Sequence, residues 1–265
     1  MKRKYFLILA LFAVIKLYAQ NSDQVTVPLS SPGKSGHLET NLKSASIKVT
    51  GTDRKDVLIK YTLLENEDDD AEKTSGDLKR IPTNNFDLEI SEDDNTVSIK
   101  SESWFQRIDL DIEVPKSFNL DLHNYTGHYI EVSNITGDLN LESYTGYIKA
   151  TAINGTANAS TYAGKIEIAF QQITPDKPMA FSNYSGSIDL TLPADYKASF
   201  KMKTTFSEIF SAFDMDVVSK PSTLKKVEGN NFKLSTDEWT TGSINGGGPE
   251  IMIKNFSGGI YLRKK

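Results

Sequence analysis

Residues 143–170 read SYTGYIKATAINGTANASTYAGKIEIAF, and within them Tyr144-Thr145-Gly146 returns as Tyr162-Ala163-Gly164. Each is the start of one unit: an apolar residue, a spacer, Gly, a spacer, Ile or Leu, a spacer and a further apolar residue. The unit recurs at 135–141, 144–150, 162–168 and 184–190. Along Gly127, Gly137, Gly146, Gly155 and Gly164 the residue two places earlier alternates as Tyr125, Ile135, Tyr144, Ile153 and Tyr162. One structural repeat therefore holds two units. Tyr to Tyr and Ile to Ile, the spacing is roughly 18 residues, the period of a coil whose strands lie parallel on those of the previous coil at about 4.8 Å, with like residues stacked on like. The expected fold is all-β, a parallel β-solenoid or β-helix with coils of about 18–22 residues, in which Tyr125, Tyr144, Tyr162 and Tyr184 form a structural ladder.

The apolar positions of the unit share one parity and are expected on one side of the strand, with Gly where the chain bends or approaches a neighbour closely. The step from Tyr162 to Tyr184 is slightly wider, and the same wider step leads on to Phe206, with Glu208 in the place of Gly, which continues the ladder more loosely. Residues 214–228 interrupt the pattern. Gly246-Gly247-Gly248 then leads into a last unit at 256–262, and Arg263-Lys264-Lys265 puts charge at what is expected to be an exposed end.

Upstream of residue 123 the pattern is plain alternation. Ile108, Leu110, Ile112 and Val114 alternate with acidic residues, and Phe118, Leu120 and Leu122 repeat the pattern after Pro115. These are half-buried strands. Phe86, Leu88 and Ile90, a polar turn at 92–95, and Val97 and Ile99 read as a hairpin, and Ile47 and Val49 with Val57, Ile59 and Tyr61 read as another. No helical period appears. The expected organisation is a leader at 1–19, a hairpin-rich β region with the first coils at 20–122, and the repeat-bearing solenoid at 123–265.

The leader is read from Lys2, Arg3 and Lys4, an apolar run from Tyr5 to Ile15, and a cleavage site between Ala19 and Gln20. The run is shorter than the roughly 20 apolar residues that cross a bilayer, so no integral membrane span is expected after cleavage. Removing it takes away four basic residues and no acidic ones, which moves the formal net charge from −5 to −9. That balance opposes nucleic acid and anionic lipid as partners. Cys is absent, which excludes disulfides, thiolate metal sites and Cys nucleophiles. The address is an exported one: periplasm, outer-membrane surface or secreted.

The stretch IDLDIEVPKSFNLDL (108–122), the Gly-x-Ile/Leu repeats and the terminal GSINGGGPEIMIKNFSGGIYLRKK (242–265) resemble the bacterial putative-adhesin domain family. The resemblance covers the chain from about residue 35 to its end. It implies a secreted or envelope-associated β-solenoid with an adhesin-like role, and it carries over no catalytic residue.

Few residues point to chemistry. His123 and His128 flank the first repeat turn without a third ligand at metal spacing, and His37 is remote, so the two read as exposed turn histidines and no metal or other cofactor is expected. The acidic run 65–70 lacks a calcium-loop pattern and reads as a solvated charge run. Asn124, Asn134, Asn154, Asn158, Asn183 and Asn255 begin Asn-x-Ser/Thr triplets that suit the turns of the repeat. Glu131, Lys149, Glu167 and Asp189 occupy one outward position in successive coils. Glu167 and Asp189 would then be neighbours at the separation of about 5–5.5 Å used by retaining glycosidases. The plainer reading is a charge ladder that solvates a sheet face, with Lys149 bridging Glu131 and Glu167. Tyr129 and Tyr147 also project outward and are candidates to stack on sugar rings. The function expected is therefore non-enzymatic, an adhesin-like or structural envelope role. Its partner would be a glycan or another envelope protein, with Tyr129, Tyr147, Lys149, Glu167 and Asp189 as the binding candidates. A polysaccharide-active hydrolase or lyase using Glu167, Asp189 and Lys149 is the alternative.

Overall fold

A computed structural model of the chain describes residues 22–64, 74–75, 78–79, 86–218, 223–226, 232–235 and 239–265. The leader expected at 1–19 and the acidic run 65–70 lie outside the described residues, as do 219–222 and 227–228 of the interruption at 214–228.

The chain opens with β1 (Ser22–Pro28), β2 (His37–Thr52) and β3 (Asp56–Leu64), followed by a small separate pair, β4 (Thr74–Ser75) and β5 (Leu78–Lys79). Next come β6 (Glu89–Asp93), β7 (Thr96–Ser101) and β8 (Arg107–Pro115). The repeats supply β9 (Asn119–Thr126), β10 (Tyr129–Ser133), β11 (Leu139–Thr145), β12 (Tyr147–Asn154), β13 (Ala157–Ala163), β14 (Ile166–Gln172), β15 (Met179–Ser185) and β16 (Ile188–Leu192). β17 (Ala198–Thr204), β18 (Ile209–Ser211) and β19 (Asp216–Val218) precede a second separate pair, β20 (Thr223–Lys226) and β21 (Phe232–Ser235). β22 (Thr240–Ile244), β23 (Glu250–Ser257) and β24 (Ile260–Lys264) finish the chain. There is no helix among the described residues, and twenty of the strands hydrogen-bond into one sheet.

Two long parallel ladders run through that sheet. In the first, β9, β11, β13, β15, β23 and β17 lie side by side. In the second, β10, β12, β14, β16, β24 and β18 do the same. Strand β2 belongs to both: residues 37–44 pair with β9, and residues 45–52 pair with β8 and in part with β10. Its alternation of buried and open residues breaks at Ser44-Ala45-Ser46-Ile47, all buried, where the strand turns from one ladder to the other. Rows of like residues face inward across coils, such as Ile148, Ile166, Ile188 and Ile260, all fully buried. Each such side chain stabilises the fold by about 1.5–3 kcal/mol relative to exposure.

The pairing is mixed, which corrects the expectation of a purely parallel array. Antiparallel pairs lie at both ends: β1 with β3, β3 with β8 and β6 with β7 at one, β17 with β22 and β19 with β22 at the other. Only β6 and β7 are joined by a short connection, the kind that yields antiparallel neighbours; the strands of the other four pairs are distant in sequence. The turn between β6 and β7 uses Asp94 and Asn95 at φ 44° and 60°, the left-handed pair that a two-residue hairpin turn requires. The hairpin expected between β2 and β3 does not form, since β8 lies between them. Alternation tells which residues face the core and not which strand lies alongside.

Nor are the coils laid down in chain order. Strands β23 and β24 sit between β15–β16 on one side and β17–β18 on the other. Arg263 and Lys264 therefore lie within an interior strand, and Phe256, not Phe206, stacks on Tyr184. The reason lies in one Gly position. A Cβ on Gly258 would fall 2.1 Å from the Gly186 carbonyl oxygen, so only a unit with Gly can pack on that coil. The Phe206 unit has Glu208 there and takes the outer position, where its carbonyl accepts from the Ile260 amide. Residue 122, the last of the N-terminal region read from the sequence, lies within β9.

Candidate functional site

The two kinds of unit turn two different corners. Ile135 and Ile153 end fully buried, whereas Tyr125, Tyr144, Tyr162 and Tyr184 are 44–46% exposed. Tyr and Ile therefore do not share the side that parity suggests. Between Tyr144 and the buried Ile148 stands Gly146 at φ 100°, where the chain turns out of one ladder into the other and parity is lost.

Along that corner the rings stack nearly parallel. Centroids lie 5.0 Å apart for Tyr125 and Tyr144, 4.9 Å for Tyr144 and Tyr162, 4.6 Å for Tyr162 and Tyr184, and 4.5 Å for Tyr184 and Phe256. Trp104 meets Tyr125 edge to face at one end, and Phe206 meets Phe256 in the same way at the other. Beside the rings runs a trough of about 660 Å3 on the outer face of the first ladder. Its floor follows one register row: His123, Glu142, Ser160, Ser182 and Lys254. Sequence reading misses this face, although the row can be read by counting two residues back from each Tyr and Phe of the stack.

Charge within the trough is mostly paired. His123 lies 2.8 Å from Asp121 and 3.1 Å from Glu142, and Lys43 lies 3.5 Å from Glu102. Below the rings, buried Asn124, Asn183 and Asn255 donate their amides to the carbonyls of Ala45, Gly164 and Gly186. Asn134 likewise donates to the Gly51 carbonyl, so four of the six Asn-x-Ser/Thr triplets spend their Asn amide on a backbone carbonyl elsewhere in the chain.

The face read from the sequence lies on the outside of the second ladder. Glu131, Lys149, Glu167 and Asp189 occupy consecutive register positions, and Tyr261 follows Asp189. Their partners differ from the expected bridge. Lys149 makes no ion pair with a described residue; Glu167 is held by Lys165 at 2.6 Å. Asp189, only 6% exposed, takes two bonds from the Arg263 guanidinium at 2.8 and 3.0 Å, with Lys165 3.8 Å away. The bonds and charge of Asp189 push the Arg263 guanidinium up from its ordinary value. Both carboxylates are thus paired with cations on the outside of the sheet, and Glu167 also lines a cavity of about 300 Å3 with Glu131, Tyr147, Lys149 and Lys165.

Tyr129 and Tyr147 are register neighbours with centroids 5.7 Å apart, and the Tyr147 hydroxyl donates to Glu131 at 2.6 Å. That bond, then burial and the charge of Glu131, push the Tyr147 phenol up to about 12. Burial, and then the charges of Asp109, Glu131 and Asp111, also raise Tyr129. For a phenol whose folded value is raised, the stabilising contribution is complete below the ordinary value near 10 and is lost as pH rises through the folded one. In Glu131→Gln the carboxylate acceptor and its charge are gone, so absorbance titration of phenolate should show Tyr147 moving from about 12 toward the ordinary range, with a smaller downward shift at Tyr129. An unchanged titration curve would mean that the Tyr147–Glu131 bond does not form in solution.

No protein-family model matches the chain, and no curated protein matches it. Among solved structures it is similar to a "putative cell adhesion protein" from Clostridium sporogenes, at 12% identity and a TM-score of 0.47, over 93% of this chain and 100% of that one. It is also similar to a "putative adhesin" from Bacteroides fragilis, at 10% identity and a TM-score of 0.36, over 93% and 98%. A "putative lipid binding protein" from Parabacteroides distasonis follows at 12% identity and 0.22, over 92% and 98%. The described residues define an all-β protein with open polar faces. Within them no helix is long and apolar enough to cross a membrane, and no three His, Asp or Glu side chains are placed to hold a metal ion.

Proposed function

We propose that this is an exported, non-enzymatic binding protein of the cell envelope or surface, an adhesin-like β-solenoid whose partner is a glycan or another envelope protein. The solenoid reading rests on the registers of the two ladders, in which Leu139 pairs with Ala157 and Ala159 with Phe181, so that hydrogen-bonded partners stand one sequence repeat apart. The non-enzymatic reading is carried by one observation: Glu167 and Asp189 are each engaged by a cation, and the cavity of about 300 Å3 that Glu167 lines does not include Asp189, so the two are not brought onto one bond.

The test is a glycan array read for both binding and product release, with wild type, Glu167→Gln and Asp189→Asn. Binding without product release, kept by both variants, is the expected result. Loss of the well-exposed Lys165–Glu167 pair should change stability by no more than about 0.5–1 kcal/mol. Cleavage by wild type that disappears in both folded variants would make the protein a hydrolase or lyase.

A further inference from the structure

The stacked tyrosines spend their faces on one another. A ring sandwiched at 4.5–5.0 Å with nearly parallel planes has no free face on which a sugar can lie, so what it offers outward is its edge and its hydroxyl. Aromatic edges carry the positive part of the ring quadrupole. None of the hydroxyls of Tyr125, Tyr144, Tyr162 and Tyr184 bonds to another described residue, so four donors stand free in a row at the coil step. Across the trough Ser160 and Ser182 also keep free hydroxyls.

Charge adds a direction. Asp121, Glu142 and His123 satisfy one another and Lys43 is paired with Glu102, whereas Lys254 has no partner among the described residues. It stands beside Ser182 at the Phe256 end.

From these observations we infer that the trough beside the tyrosine stack is the binding site of an acidic glycan. The chain would run across the strands along the row of phenol hydroxyls and set a carboxylate or sulfate against Lys254. The inference rests on the non-enzymatic binding reading above and adds the site, the ligand class and the ligand's direction. Ring edges, free hydroxyls and one ammonium recognise oxygen-rich anions, and an apolar chain would leave all of them unpaired.

The probes are an oligogalacturonate hexamer and its methyl ester, and a sulfated cello-oligosaccharide beside cellohexaose. They are titrated against wild type, Lys254→Gln and the triple variant Tyr144→Phe, Tyr162→Phe, Tyr184→Phe. Phe keeps the stack and removes only hydroxyls, so an unchanged melting curve shows that the fold is intact. Wild type should bind at least one acidic probe roughly tenfold or more tighter than its neutral counterpart, as one charged hydrogen bond implies. Lys254→Gln should erase that preference, and the triple variant should weaken acidic and neutral forms alike by about tenfold or more. Whichever acidic probe binds tells carboxylate from sulfate. Equal binding of acid and neutral forms, wild-type binding by the triple variant, or no binding of either acidic probe would each overturn the inference. Product release from a probe would overturn the non-enzymatic reading instead, and loss of binding only on substitution at Tyr147 or Glu167 would move the site to the other face.

Discussion

A chain ending at Pro249, without β23 and β24, should lose its cooperative unfolding transition and elute as aggregate. Those two strands are wedged within both ladders, so their removal opens the edges of β15, β16, β17 and β18 together. It also removes Ile251, Ile253, Ile260 and Leu262 from the core, at about 1.5–3 kcal/mol each, which approaches the roughly 5–15 kcal/mol that holds an ordinary domain together. The gap cannot close by sliding the outer coil inward. Doing so would put Glu208 where Gly258 now sits, and a Cβ there falls 2.1 Å from the Gly186 carbonyl. Deleting β1 is the matched control, because that edge strand pairs only with β3 and its loss opens one edge. Thermal melts followed by circular dichroism, with size-exclusion chromatography, give the comparison. A monomeric truncated chain melting near wild type would show that the wedge is dispensable.

The all-β character and the parallel neighbours of the repeat strands are legible in the sequence. Tyr, Gly and Ile recur with the coil because each occupies a place that only its kind can fill: a stacked corner, a close approach and a core row. What the repeat does not encode is which further strands lie beside it. Asp189 finds Arg263, 74 residues on, because β24 is inserted beside β16, and no local pattern specifies that. One local signal does exist: of the units at Phe206 and Phe256, only the second keeps the Gly that the Tyr184 coil demands. The exposure of the tyrosines escapes the pattern for a related reason. Parity holds along a strand and fails across a left-handed Gly, so the residues before and after Gly146 obey different rules. The outward carboxylates do fall in the row that the sequence assigns them. Their cations come from a spacer position, Lys165, and from an inserted strand, so the bridge expected through Lys149 is absent.

Gly164→Val should cost about 3–5 kcal/mol or abolish folding, for two separable reasons. Gly164 lies at φ 146°, a conformation that L side chains rarely adopt, and its missing Cβ would fall 2.0 Å from the carbonyl oxygen and 2.6 Å from the carbonyl carbon of Gly146. Neither atom can retreat. The Gly146 amide is bonded to the Ala163 carbonyl, the Gly164 amide to Ser185, and the next coil repeats the contact with Gly186 against Gly164. Shifting one carbonyl therefore breaks register on both sides, and with it the Tyr144–Tyr162–Tyr184 stack. Gly246→Ala isolates the conformational part, since Gly246 also has positive φ, at 89°, yet nothing lies within 4 Å of its Cβ position. That change should cost only about 1–2 kcal/mol. Denaturant unfolding of the two variants against wild type reads the difference directly. If both lose the same stability, the column of glycines is set by turn conformation alone, and the close stacking of coil on coil is not what requires them.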